Sequence, residues 1–111
     1  MIRYISTRGG GQPQNFTDVL MQGMAPDGGL FIPDSWPEFD HNIMAALSGL
    51  SYTNTAVRVM QPFIGRALKS EKLFALLGQA YRPGVFDHTA IAPLTQIGPN
   101  AWLLELFHGP T

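Results

Sequence analysis

Residues 94–111 read Leu94-Thr95-Gln96-Ile97-Gly98-Pro99-Asn100-Ala101-Trp102-Leu103-Leu104-Glu105-Leu106-Phe107-His108-Gly109-Pro110-Thr111. Leu94 to Ile97 and Ala101 to Phe107 are short apolar runs, and Gly98-Pro99-Asn100 between them has the composition of a turn, so the pattern predicts a β-hairpin. The second run leads into a Gly-Pro turn that redirects the backbone. An independent domain rarely stops on such a turn without a polar tail. Residues 1–111 are therefore expected to be the front part of a longer protein.

Upstream of the hairpin, Met1 to Ser6 alternates and carries the β-formers Ile2, Tyr4 and Ile5, which predicts a strand closed by Arg8-Gly9-Gly10-Gly11. Asn15 is placed to cap a short helix with Asp18 in its first turn, an inner face of Phe16, Val19, Leu20 and Met24, and Gly23 as its stop. Asp27-Gly28-Gly29 makes a tight turn before a short apolar strand, Leu30-Phe31-Ile32, ended by Pro33. Asp40 caps a helix over 41–48, and Thr53 or Thr55 opens another that Pro62 should kink. Ser70 caps a last helix, Glu71 to Tyr81, with Leu73, Phe74, Leu76, Leu77 and Tyr81 facing inward. Two or three strands, with strands at both ends, and about four helices between them predict a small α+β domain.

At 111 residues the chain fits one domain. Its 45% hydrophobic content lies above the disordered range, and its 14% charged residues fall below the usual about 25%. Part of the surface is expected to be made for contact, around Phe107 and the Leu94 to Ile97 strand. A net charge of -1, with seven scattered Lys and Arg, argues against a nucleic-acid partner. The absence of cysteine excludes disulfides and thiolate chemistry and is compatible with the cytoplasm. No stretch approaches the ~18 apolar residues of a membrane span.

Few residues offer chemistry by themselves. His41, His88 and His108 share no metal-ligand spacing, so no metal site is expected. Ser6, His108 and Asp87 can be drawn as a hydrolytic triad, but no G-x-S-x-G elbow accompanies them, and a small hydrolase is discarded. Gly9 to Gly11 reads as a flexible loop, with a backbone nest facing a phosphate as the alternative. Asp27 reads as a turn former. Lys69 and Lys72 flank a helix start and read as solvated, with nothing to depress a pKa for covalent catalysis. Glu105 has no visible partner.

Three blocks in order, Tyr4 to Gly9, Gly23 to Pro33 and Leu104 to Thr111, resemble the N-terminal region of threonine synthase. The resemblance covers the whole chain, the helical middle matching only in pattern. It implies a pyridoxal-phosphate (PLP) lyase of the tryptophan synthase β-like fold, converting O-phospho-L-homoserine and water to L-threonine and phosphate. In that family the block resembling His108 to Thr111 continues into Leu-Ala-Phe-Lys-Asp, whose lysine holds the cofactor covalently. That lysine would be the fourth residue after Thr111, so the chain by itself is expected to be inactive and to bind no cofactor. The resemblance further implies that His108, Gly109, Pro110 and Thr111 form the approach to the cofactor. It makes Arg8, with Ser6 and Thr7, a candidate for the substrate phosphate, since a guanidinium matches phosphate in a two-pronged geometry. The remaining domains of the same chain are the expected partner. The alternative is a threonine-synthase-like interaction module without catalysis.

Overall fold

A computed structural model describes all of residues 1–111. The elements run β1 (Tyr4–Ser6), α1 (Phe16–Gln22), β2 (Phe31–Pro33), α2 (His41–Ala46), α3 (Tyr52–Ile64), α4 (Ser70–Ala80), β3 (Leu94–Gly98) and β4 (Ala101–Leu104). This is the α+β arrangement expected, with four strands in two antiparallel pairs where two or three strands were expected. β1 pairs with β2 in the register Tyr4–Pro33, Ile5–Ile32 and Ser6–Phe31, and β3 pairs with β4 with an irregularity between Gln96 and Gly98.

The local signals that formed helices did so through their caps. Asn15 accepts the Asp18 N–H at 2.9 Å and Asp40 accepts the Ile43 N–H at 2.8 Å, each satisfying an amide that the first turn leaves unpaired. Two expected starts move. The cap of α3 is Ser51, which accepts the Asn54 N–H at 3.2 Å, rather than Thr53 or Thr55; Ser70 is already helical, and Lys69 before it makes no side-chain cap. Pro62 lies in the last turn of α3, which continues to Ile64. β1 starts at Tyr4 rather than Met1, and β4 ends at Leu104 rather than Phe107.

α3 and α4 form the packed centre. Ile64, Leu73 and Leu77 are its buried cluster, with Phe16, Val57, Met60 and Tyr81 against it. Tyr52 and Tyr81, at opposite ends of their helices, meet edge-to-face with centroids 5.0 Å apart, which fixes the pair as antiparallel. Across the connection, the Gln61 side-chain amide donates to the carbonyls of Gly65 at 3.0 Å and Leu68 at 2.8 Å. The first sheet is tied in by the Tyr4 hydroxyl, which donates to the Phe63 carbonyl at 2.6 Å and so satisfies an acceptor that the end of α3 leaves open.

Only eight of the 111 residues are buried. The expected inward faces are correspondingly incomplete: Leu20 and Met24 of the first, Phe74 and Leu76 of the last, are exposed. A folded monomer of 12.2 kDa exposes about 6,100 Å², and this chain exposes 8129 Å², about 2,000 Å² more. Its radius of gyration is 16.3 Å, where about 13 Å is usual for its length. The contact surface expected from the sequence is exposed: Leu94, Ile97, Leu106 and Phe107 are 63%, 66%, 77% and 69% exposed, and both faces of the hairpin are open.

Leu73→Ala should lower stability by ~2–5 kcal/mol through loss of buried area and a residual cavity. Leu76→Ala, on the exposed side of the same helix, should cost less than ~1 kcal/mol. Shifts of the urea unfolding midpoint of the two variants provide the comparison.

Candidate functional site

Two clusters of polar side chains join segments far apart in the sequence. The first is built on Asp27. The turn before β2 is closed by the Gly28 N–H, which donates to the Ala25 carbonyl at 2.9 Å, and it projects the Asp27 carboxylate toward the loop that follows β1. There it accepts the Ser6 hydroxyl at 2.7 Å, the Gly10 N–H at 2.9 Å and the Gly29 N–H at 2.9 Å. Ser6 in turn accepts the Arg8 N–H at 3.1 Å, and Arg8 Nη1 donates to the Asp27 carbonyl at 3.1 Å. The Ser6 hydroxyl, the Gly29 and Gly10 amides and the Arg8 charge all hold the Asp27 carboxyl below the usual carboxylate range, Ser6 contributing most.

The glycines here are a spatial requirement. A Cβ on Gly10 would meet Asp27 Oδ2 at 2.5 Å, and one on Gly29 would collide with Ser6 Oγ and reach Thr7 Oγ1 at 2.9 Å. The Gly10 amide, which the alternative reading of a phosphate-facing nest would need, is thus taken by the protein's own carboxylate. Of the three residues proposed for a substrate phosphate, Ser6 is buried and spends its proton on Asp27, while Thr7 Oγ1 accepts the Leu30 N–H at 3.0 Å. Arg8 is exposed and keeps most of its five donors free.

The second cluster surrounds His108. Its Nδ1 bonds Asp87 and its Nε2 bonds Glu105 at 2.7 Å. The other oxygen of Glu105 takes the Thr95 hydroxyl from β3. The Asp87 N–H donates to the His108 carbonyl at 3.0 Å. Glu105, expected to stand alone, therefore has two partners. The i, i+3 spacing of Glu105 and His108 was the available signal, whereas nothing local marked Asp87 or Thr95. Ser6 does not complete a triad with His108 and Asp87, because its hydroxyl belongs to Asp27.

Residues 82–93, which carry Asp87, contain a strained point. The Ala92 N–H donates to the Ala90 carbonyl at 2.7 Å around Ile91, a buried β-branched residue at φ 64°. This γ-turn conformation is rare for an L residue and costs on the order of 1–3 kcal/mol. A cleft of about 280 Å³ beside it, lined by Tyr81, Arg82, Phe86, Asp87, His88 and Ile91, falls below the roughly 300–1,000 Å³ of small-molecule sites.

Beyond His108 the chain passes Phe86 closely: a Cβ on Gly109 would lie 3.3 Å from the Phe86 ring. Pro110 and Thr111 are exposed, and the only amines of the chain's lysines, Lys69 and Lys72, stand at the start of α4. These last residues offer backbone amides and the Thr111 hydroxyl to a ligand, and no amine. No group of three or more His, Cys, Asp or Glu is arranged to hold a metal ion, and no helix is long and apolar enough to cross a membrane.

Residues 3–81 match the family model described as threonine synthase N terminus. A threonine synthase of Pseudomonas aeruginosa is 47% identical over 99% of this chain and 23% of its own length. The human protein called threonine synthase-like 2 is 36% identical over 97% of this chain and 22% of its own. The crystal structure of PLP-bound threonine synthase from Brucella melitensis superposes with a TM-score of 0.84 at 40% identity, covering 99% of this chain and 23% of that one. The chain thus spans about a quarter of the length of the relatives it matches.

Asp27→Ala removes the acceptor of three donors, and hydrogen exchange at the Gly10 and Gly29 amides should accelerate together. In the unchanged protein the same loss should occur in acid. The depressed pKa contributes stability above the ordinary Asp value of about 3.9, lost as pH falls through the lower folded value. Amide exchange followed by NMR across that range checks both.

Proposed function

The chain belongs to the threonine synthase family, as its N-terminal region, and on that premise we propose that it supplies the first quarter of a PLP-dependent enzyme converting O-phospho-L-homoserine and water to L-threonine and phosphate. The observation that carries the reading is the unequal coverage: nearly all of this chain aligns with about 23% of each relative. The roughly 2,000 Å² of surplus surface agrees with it, because that is the area one side of a large obligate interface buries. The remaining domains of the enzyme are the fitting cover for the hairpin and for Leu106 and Phe107.

PLP, when bound, supplies the electron sink that lets protons leave the substrate's Cα and Cβ and phosphate leave Cγ. The residues of this chain have supporting parts. His108 to Thr111 form one wall beside the cofactor, with Gly109 allowing the backbone to run close to Phe86. Arg8, steadied by the Asp27 carbonyl, presents its free guanidinium N–H groups to the substrate phosphate. The lysine that anchors the cofactor comes from sequence following Thr111, and the compartment proposed is the cytoplasm, with which the absence of cysteine is compatible.

Joining this chain to the remaining three quarters of the Pseudomonas aeruginosa relative, in place of that protein's matching N-terminal region, should give an enzyme that releases phosphate from O-phospho-L-homoserine. A joined protein that folds and takes up PLP but releases none would instead favour a non-catalytic interaction module of the same family.

In that joined enzyme, Arg8→Ala should reduce kcat/KM for O-phospho-L-homoserine about 10- to 100-fold, mainly through KM, as expected for losing ~1.5–3 kcal/mol of hydrogen bonding to a charged group. Steady-state kinetics with unchanged KM and kcat would remove Arg8 from the site.

A further inference from the structure

The ring of His108 is held from both sides. Its side chain is 11% exposed, and its two nitrogens face carboxylates on different segments, Asp87 of the 82–93 loop and Glu105 just after β4. A neutral imidazole has one N–H and one lone pair, so it would turn the lone pair toward an anion at one of the two contacts. The imidazolium donates to both. Thr95 of β3 fixes the far oxygen of Glu105, and the Asp87 N–H to His108 carbonyl bond fixes the backbone. His88 is the other titratable group facing the ring, with centroids 5.0 Å apart, and its Nδ1 accepts the Ala90 N–H at 2.9 Å.

We infer that His108 is a positioning residue acting as a charged latch: protonated, it fastens the 82–93 loop to the end of the hairpin and fixes the course of Gly109-Pro110-Thr111; neutral, it releases them. The loop needs an outside hold, since it contains the strained γ-turn at Ile91, and the latch closes three residues upstream of Thr111. The hydrogen bond to Glu105 first, with Asp87 adding to it, keeps the His108 pKa above its usual value against the opposing effect of desolvation. The Thr95 hydroxyl first and His108 second keep that of Glu105 below its own. The signs set a window. The His108 contribution is fully present below about 6.5 and is lost as pH rises through the raised folded value. The Glu105 contribution is present above the usual carboxylate value and is lost as pH falls through the lowered one. In the complete enzyme of the reading above, an open latch misplaces the wall beside the cofactor, which lowers kcat more than KM.

Two measurements on the joined holoenzyme test this. With ¹⁵N-labelled histidine, and His108→Gln to identify its resonances, the His108 ring should hold both its protons in acid and titrate with a midpoint above about 6.5. A midpoint at or below that value overturns the latch whether or not the protein is active. In the pH profile of kcat, Glu105→Gln should move the alkaline limb toward acid, and Asp87→Asn should move it in the same direction by less. A limb that stays in place in both variants overturns the positioning role. If either variant does not fold, the histidine titration of the unsubstituted protein decides. A correct titration without phosphate release upholds the latch and counts against the enzymatic reading, so the two fail separately.

Discussion

Shortage of buried apolar surface governs this structure. With three side chains at the centre of its main cluster, Ile64, Leu73 and Leu77, the chain cannot rely on a core to bring its distant segments together. Individual polar side chains do that work instead. Tyr4 reaches across 59 positions to Phe63, Asp27 gathers the loop after β1, and His108 gathers the loop after α4. Each net hydrogen bond contributes only about 1 kcal/mol, but one that is buried and broken costs more, so such links define geometry more strongly than they add stability. A scaffold of this kind is well defined at its polar crossings and open between them.

What could be read from the sequence follows the range of each interaction. Caps at Asn15 and Asp40 act over three residues, and both were legible. Ser51 was missed because Thr53 and Thr55 offered the same chemistry two and four positions later. The pairing of β1 with β2 had no local signature, since each strand has only three residues and the register is set by the Asp27 turn and by Tyr4, which also bridges to Gln14. The inward faces were overdrawn at Leu20, Met24, Phe74 and Leu76 for a related reason. An apolar stripe states that a face needs cover without stating which part of a protein supplies it.

The candidate site divides in the same way. Motif resemblance pointed to the Ser6-Thr7-Arg8 and His108 to Thr111 blocks, because both are contiguous. It did not show that the Gly10 amide already binds a carboxylate, or that Asp87 meets His108 across 21 positions. Those facts change the chemistry available. The glycine loop is stiffened from within, leaving Arg8 as its free cationic group, and the histidine of the tail works between two acids rather than as a neutral ligand.

The hairpin of β3 and β4 has a consequence for handling the polypeptide. A two-stranded ribbon with unpaired outer edges and greasy side chains on both faces is a template for any other extended segment it meets in water. Kept uncovered at high concentration, it invites intermolecular strand addition and precipitation, and solubility becomes a question of how soon a proper neighbour shields it. The surface suited to joining is also the seed of misassembly, and the cell's defence is speed of burial.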